Sequence, residues 1–235
     1  MPRVRFRYVS VCASVVCASV ASLALSACGK SPVTTAVAPA APANTVVVDT
    51  SLLAAAEPFE TLTEQAPSAS LSTLDKLIGS ARDAALNVHG YLPAAAAGQL
   101  DAQLAAMTAD RQAERRTDLA LASIEIYRVL VGAVSSPSKT PTPVNILDYA
   151  GFRYDADLKA SPRRWGDMTS AVVVADDNWR RLSPQVTDPA LRAKVEGALG
   201  VMGSAAKTQD AKSAASAVKN ELDLVDKLEE FFKTP

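Results

Sequence analysis

From residue 68 to residue 232, apolar positions recur every three or four residues, which is the spacing of one face of an α-helix. The first predicted helix carries six such positions: Leu71, Leu74, Ile78, Ala81, Ala85 and Val88. Pro93 then opens a second helix, because proline suits the first helical turn. A third helix, from about Thr117 to Val134, is apolar on nearly every side, which is typical of a central, buried helix.

The second half of this region repeats the pattern of the first half. The six apolar positions of the first helix recur at a constant shift of 94 residues, as Trp165, Met168, Val172, Ala175, Trp179 and Leu182. The apolar positions of the second helix recur at a shift of 95, and Ile124-Glu125-Ile126 recurs as Leu222-Asp223-Leu224 at a shift of 98. Three helices matched in the same order predict an internal duplication, with halves at about 71–134 and 165–232.

The predicted fold is therefore all-α, a helical bundle of two similar three-helix units. A proline-rich crossover at 135–164, which contains a short helix, joins the two units. Helices of about 20 residues are about 30 Å long, which is enough for one elongated core shared by both units. Two separate small bundles are the alternative, although three alanine-rich helices alone make a thin core. We assign the folded domain to residues 68–235.

The N-terminus carries the pattern of an export signal. Arg3, Arg5 and Arg7 form a basic start, and a run of Val, Ala, Ser, Leu and Cys residues extends from Val9 to Ala27. A charged start, an apolar middle and small residues before a cleavage point are the parts of a secretory signal peptide. Residues 1–27 are therefore predicted to be removed on export.

The apolar run ends in Leu25-Ser26-Ala27-Cys28, which resembles the lipobox of bacterial lipoprotein precursors. The resemblance implies cleavage before Cys28, a diacylglycerol thioether on its sulfur and acylation of its amine, so that the lipid bilayer is a partner. In that class, the absence of Asp after the cysteine favours the periplasmic face of the outer membrane, and Gly29 stands there. A signal cleaved without lipidation is one alternative, and an uncleaved anchor is another, because the run is close to the roughly 18 residues of a spanning helix.

The segment between the lipobox and the helical region lacks a steady period. It is rich in Pro, Ala, Thr, Val and Ser and carries few charges. Such a segment buries too little surface to offset its ordering entropy. We therefore predict that residues 28–67 form the lipidated cysteine and a flexible tether. The Val46–Val48 run is compatible with a short strand, but nothing nearby offers it a partner.

Cysteine and histidine content excludes several kinds of site. Cys12 and Cys17 lie inside the predicted signal, so that Cys28 is the one cysteine left after cleavage. Disulfides, iron–sulfur clusters, Cys-bound zinc and thiol nucleophiles are therefore not expected. The single histidine, His89, argues against a serine triad and a multi-histidine metal site. We predict no cofactor, no metal site and no enzymatic activity, because catalysis would have to use Asp, Glu and Tyr alone.

Charge and known bundle families narrow the function further. The net charge of −1 becomes −4 when three arginines leave with the signal, because no acid leaves with them. A mildly acidic exported domain is a poor nucleic-acid binder. Imelysin-like proteins are also secreted, duplicated and all-α, but their Gly-x-His-x-x-Glu signature is absent, since His89 is followed by Gly-Tyr-Leu. A cytochrome c′-like bundle needs a Cys-x-x-Cys-His haem attachment, which this sequence lacks.

Glu125 and Asp223 are the first candidate binding residues, since they occupy equivalent positions of the predicted repeat between apolar neighbours. A buried carboxylate is costly unless it is paired. Two related halves would bring both acids together as a small-ligand or hard-cation site, with Tyr127 closing over them. The structural alternative is an ion pair of Glu125 with Arg128, three residues on, and of Asp223 with Lys227, four residues on.

The crossover helix is the second candidate. It gathers polar tips and aromatic faces within a few residues, namely Asp148, Tyr149, Phe152, Arg153 and Tyr154. The predicted three-helix duplication does not include it, and an inserted element is a natural lid or groove wall. Arg153 suits a carboxylate ligand because its guanidinium binds in bidentate fashion. Aromatic and arginine side chains also serve as wedges that fill a junction.

Two functions follow from these features. The first is a membrane-tethered envelope lipoprotein that acts as a non-enzymatic scaffold or binds an envelope protein partner. The second is a lipoprotein that binds a small ligand or metal between its two halves. A closed, dry core favours the first function, and a polar pocket lined by Glu125, Asp223 and the crossover helix favours the second.

Overall fold

The computed structural model describes residues 43–135 and 139–233, and this part of the chain contains helices and no β-strand. The α-helices are α1 (Ala43–Gln65), α2 (Leu71–Val88), α3 (Ala94–Gln112), α4 (Arg116–Gly132), α5 (Thr142–Lys159), α6 (Trp165–Leu182), α7 (Pro189–Thr208) and α8 (Ala211–Lys233). The all-α prediction is confirmed. Within these ranges, no helix combines the length and the apolar character needed to cross a membrane. The predicted signal peptide and Cys28 lie outside the described residues.

Local sequence sets where these helices begin. Ser70 precedes α2, and its Oγ accepts a hydrogen bond of 3.1 Å from the backbone N–H of Thr73. Asp188 precedes α7, and its carboxylate accepts hydrogen bonds from the N–H groups of Ala190 and Leu191. These side chains satisfy N–H groups that have no partner within the helix. Pro93 stands at the start of α3, as the sequence predicts, and Pro189 is the first residue of α7.

The helices form two sets of four that share a junction. In the first set, α1 packs against α2 and α4, and α3 packs against α4. In the second set, α5 packs against α6 and α8, and α7 packs against α8. The two sets meet where α4 packs against α5, and one hydrophobic core runs through both.

Three helix contacts of the first set have counterparts in the second, with α1 corresponding to α5, although α6 also packs against α7 while α2 does not pack comparably against α3. Phe59 and Tyr154 are both buried and differ by 95 in number, as do Leu52 and Leu147. This shift equals the one that relates the apolar positions of the second predicted helix to their counterparts in the second half. Each unit therefore has a fourth helix, which the predicted three-helix units leave out. Descent of the two sets from one duplicated ancestor stays a prediction.

Helix α1 corrects the predicted tether. Leu52, Phe59 and Leu62 are at most 1% exposed and belong to the core. At the end of the helix, the Arg116 guanidinium donates hydrogen bonds of 2.9 and 2.7 Å to the carbonyl oxygens of Ala66 and Ala69. The prediction of a flexible tether is wrong for residues 43–67. Their composition is rich in alanine, but their larger apolar side chains form one face of a helix. Residues 28–42 of that prediction lie outside the described residues.

Helix α5 corrects the predicted crossover. It is 18 residues long, and Leu147, Ala150 and Tyr154 on it are fully buried. It packs against α4, α6 and α8, which makes it a central helix of the bundle. The prediction of a short inserted helix that acts as a lid is therefore wrong. Its Tyr149 lies at the junction with α4, as the wedge alternative requires, whereas Tyr154 contacts Met202 of α7 within the second set.

Candidate functional site

The structure divides the predicted site residues among four places. Glu125, Tyr149 and Arg153 meet where α4 packs against α5. Tyr127 and Asp148 are hydrogen-bonded to each other in a second place on the same two helices. The remaining two residues belong to neither place, since Tyr154 lies in the core and Asp223 is exposed on α8.

The Glu125 carboxylate is saturated by its neighbours. Its Oε1 accepts a hydrogen bond of 2.7 Å from the Tyr149 hydroxyl and is ion-paired with Arg153. Its Oε2 lies 2.9 Å from Nε of Arg128. Burial, followed by the hydrogen bond to Glu125, raises the pKa of Tyr149 to about 12. With two guanidinium groups on one carboxylate, this cluster ties α5 to α4 and leaves Glu125 no free oxygen for a ligand. The predicted pair with Arg128 is confirmed.

Asp223 and Tyr154 do not take the predicted roles. Asp223 pairs with Lys219, 2.9 Å away, instead of Lys227. It lines a different cavity from Glu125, so that the two acids are not members of one site. The Tyr154 hydroxyl donates a hydrogen bond of 3.0 Å to the carbonyl oxygen of Met202 within the core. A helical repeat predicts equivalent positions along the sequence, but it does not say which side of the bundle each side chain faces.

Two adjoining cavities, of about 440 and 400 Å³, form a groove between α1, α5 and α8. Eight carboxylates and only two lysines line the two cavities. The acids are Glu57, Glu60, Glu64, Asp148, Asp155, Asp223, Asp226 and Glu229. We call this surface the acidic groove. It lies between the two helix sets, because α1 belongs to the first set and α5 and α8 belong to the second.

Three acids stand in the middle of the acidic groove, one from each helix. Glu60, Asp148 and Asp226 line both cavities. Burial and the nearby carboxylates of Glu64, Glu229, Asp226 and Glu57 raise the pKa of Glu60 to about 7. Burial and the Glu60 carboxylate likewise raise the pKa of Asp148, although its hydrogen bond with Tyr127 opposes the change. These carboxylates repel one another, and a cation placed among them would relieve the repulsion.

The ends of the acidic groove differ from its middle in their charge balance. Lys233 pairs with Glu229 at one end, and Lys219 pairs with Asp223 at the other. Within the described ranges, Glu60, Asp148 and Asp226 make no ion pair with a lysine or arginine. The central acids therefore lack a described lysine or arginine partner, and the raised pKa values of Glu60 and Asp148 show that their ionised forms are disfavoured there.

A buried carboxylate lies between α8 and α5, near Asp148 of the acidic groove. Glu221 is 1% exposed, and neither of its carboxylate oxygens has a hydrogen-bond partner. It lies on the same face of α8 as Val218 and Val225, which line the two cavities. The carboxylate faces α5 so closely that a Cβ atom on Gly151 would lie 2.2 Å from its Oε2. Burial, together with the Asp148 carboxylate, raises the pKa of Glu221 well above its ordinary value.

A larger cavity, of about 760 Å³, lies between α7 and α8 near Phe231 and Phe232. It is more open to solvent, and its charged side chains are of both signs. Its acid Asp188 already caps the start of α7. The acidic groove is the better candidate site, because it combines enclosure with unbalanced charge.

The carboxylates of the acidic groove are spread along its length. Across the described residues, no three His, Cys, Asp or Glu side chains are arranged to hold one ion. Hard cations require several oxygen ligands around one point, whereas these carboxylates are distributed along a groove. The arrangement instead suits a ligand that presents positive charge at several points.

Sequence reasoning identified Asp148, Tyr127 and Asp223 but missed the acids of α1. Glu57, Glu60 and Glu64 fell within the predicted tether, and Asp226 and Glu229 were not among the predicted site residues. One signal was available, because the buried Leu52, Phe59 and Leu62 follow helical spacing and place these acids on the adjacent face.

Comparisons with protein-family models, with curated proteins and with solved structures found no match for this chain. The geometry of the acidic groove and the lipobox resemblance therefore carry the functional argument.

Proposed function

We propose that this chain is a membrane-tethered lipoprotein of the bacterial cell envelope whose helical bundle is a non-enzymatic binding module. Its ligand is a small cationic molecule that occupies the acidic groove. One observation carries this proposal. Glu60, Asp148 and Asp226 line the same groove, and no lysine or arginine among the described residues forms an ion pair with them.

Three further features support ligand binding over a purely structural role. The groove lies between the two helix sets, where binding sites of helical proteins commonly form. Its carboxylates raise one another's pKa values, which costs stability in the absence of a ligand. By contrast, the Glu125 carboxylate is ion-paired with Arg128 and Arg153 of the protein itself, as in a structural junction.

Native mass spectrometry tests this function. The lipidated protein, purified in nonionic detergent from the envelope of its own cells, is expected to retain a small molecule that Asp148→Asn loses. Glu196→Gln is the matched control, since Glu196 is an exposed acid on α7 away from the groove, and it is expected to keep the ligand. A protein that carries no small molecule in either form, but co-purifies with an envelope protein, would contradict ligand binding and favour the scaffold function.

Lipid anchoring is tested separately. Cys28→Ser is expected to abolish labelling with an alkyne analogue of palmitate and to release the protein from membranes, because the acylated sulfur is the proposed anchor. Cys17→Ser changes a cysteine within the same apolar run and should leave labelling intact. Unchanged membrane retention of the Cys28→Ser protein, at unchanged gel mobility, would mean that the apolar run is an uncleaved anchor.

A further inference from the structure

We propose that one end of the helical bundle, the end at which α1 begins, contacts the phospholipid bilayer that holds the lipid anchor. This inference rests on the proposed lipid anchoring and adds a second, non-covalent contact with the membrane. It is carried by exposed apolar side chains at this end, by the scarcity of charge around them and by the length of chain between Cys28 and α1.

Three helices bring their ends together at this place. Helix α2 follows α1 after five residues and packs along it, so it runs back towards the start of α1. Helix α4 is also antiparallel to α1. The backbone N–H of Ser135, just after α4, donates a hydrogen bond of 3.0 Å to the Asp49 carboxylate near the start of α1. The start of α1 therefore lies beside the ends of α2 and α4.

Four large apolar side chains are exposed here, and we call the surface that they form the apolar end. Val46 and Val47, in the first turns of α1, are 51% and 63% exposed. Leu86, in the last turn of α2, and Tyr91, three residues after α2, are 54% and 55% exposed. Single exposed apolar residues are normal, whereas several at one place mark an interaction or membrane surface. Tyrosine and aliphatic side chains suit the interfacial region of a bilayer.

The chain around the apolar end carries little charge. Residues 43–56 contain one charged side chain, Asp49, which is 5% exposed. Residues 84–100 contain no Asp, Glu, Lys or Arg, and the ring of His89 lies 3.2 Å from the Asp101 carboxylate. Moving an ionised group from water into apolar surroundings is costly. Contact of this end with lipid therefore requires little dehydration of charge.

The second helix set lacks these apolar side chains. At the shift of 94 residues that relates α2 to α6, Arg180 stands in place of Leu86, and Gln185 stands in place of Tyr91. Both of these polar residues are exposed. A helix set of this kind thus folds with polar side chains at the two positions. Apolar side chains that folding does not require indicate a contact outside the bundle.

The chain before α1 favours the bilayer as the partner. Fourteen residues, 29–42, separate the proposed anchor at Cys28 from Ala43, and this stretch spans at most roughly 50 Å. The far end of α1 lies about 35 Å further on, because α1 has 23 residues. Of the two ends of the bundle, the apolar end is the one that the anchor holds nearer the lipid. Its contact with the bilayer is then intramolecular, which favours binding by a surface that is weak on its own.

Site-directed fluorescence of the lipidated protein tests this contact. An NBD dye is attached to Val47→Cys, whose thiol is free to react because acylation makes Cys28 a thioether. The vesicles contain phosphatidylethanolamine, phosphatidylglycerol and a nitroxide-labelled lipid. Fluorescence is expected to fall at least about twofold, since interfacial side chains lie about 5 to 10 Å into the headgroup region. The control Val201→Cys, on α7 at 49% exposure, is expected to keep its fluorescence.

Charged substitutions locate the contact. With the dye at Tyr91→Cys, Val46→Asp combined with Val47→Asp is expected to remove at least about half of the quenching, because a carboxylate is costly to place in the membrane. Val201→Asp is expected to leave the quenching unchanged. Both substituted valines are exposed, and acids near the start of a helix favour its dipole, so the double variant should fold, which thermal unfolding checks.

The outcomes that overturn the proposal are distinguishable. If palmitate labels Cys28 but the dye at residue 47 is quenched no more than the dye at residue 201, the bilayer contact is wrong and the anchoring stands. If Cys28 takes no label and the protein leaves the vesicles, both proposals fail. A dye at residue 47 that is shielded from the nitroxide lipid and from aqueous iodide would show that a protein surface covers the apolar end instead.

Discussion

Phe59→Ala is expected to lower the free energy of unfolding by about 3 to 5 kcal/mol, the range for truncating a buried large aromatic side chain. Phe59 is 0% exposed and lies on α1, where α1 packs against α4. The Ser123 hydroxyl on α4 donates a hydrogen bond of 2.8 Å to the Phe59 carbonyl oxygen, which fixes the helix at this point. Urea unfolding of the chain from residue 29 on, followed by circular dichroism, measures the loss.

Val47→Ala is the control on the same helix. Val47 is 63% exposed, so its truncation is expected to change the free energy of unfolding by less than about 0.5 kcal/mol. If residues 43–65 were part of a tether, both variants would unfold at the urea concentration of the parent chain. The contrast between the two variants thus tests whether the folded domain includes α1.

Glu221→Met is expected to stabilise the protein by about 1 to 3 kcal/mol at pH 8, the usual cost of a buried polar group without a partner. Methionine is unbranched and close to glutamate in length, so it suits the space against Gly151. Glu221→Gln removes the charge but leaves an unpartnered amide, so its gain should be smaller. Glu196→Met, at an exposed site on α7, controls for the loss of one acid.

The same variant carries a pH signature with a defined sign. Because folding raises the pKa of Glu221 above 4.5, the folded state holds this proton more tightly than the unfolded state. Glu221 therefore destabilises the protein increasingly as the pH rises above about 4.5, the ordinary value of its pKa. The advantage of Glu221→Met over the parent is expected to be larger at pH 8 than at pH 5. An advantage that is equal at both values would mean that Glu221 has a partner for its charge.

Much of the fold could be predicted from the sequence, because helical periodicity is a local property. The six apolar positions from Leu71 to Val88 and those from Trp165 to Leu182 mark α2 and α6 with the same first and last residues as in the structure. Trp179, on the predicted core face, is buried at 5% exposure. Helix α1 was missed because composition was weighed above spacing, although Phe59 and Leu62 follow the helical period.

The site was harder to predict because it depends on which helix faces lie opposite one another. Glu125 and Tyr127 are two residues apart on α4, yet Glu125 contacts Arg153 while Tyr127 contacts Asp148 in another place. Residues two apart on a helix point in different directions. The acidic groove combines α1, α5 and α8, and no sequence pattern links acids on three separate helices.

The close approach of Gly151 and Glu221 restricts how these two positions are able to change. A methyl group at residue 151 would overlap the Glu221 carboxylate at 2.2 Å and the Leu222 side chain at 2.7 Å. Alanine at 151 would thus require a shorter side chain at 221, and a longer side chain at 221 would require glycine to persist at 151. Among homologues of this chain, the two positions are expected to covary. A library that randomises both together should yield folded pairs that neither single-site library contains.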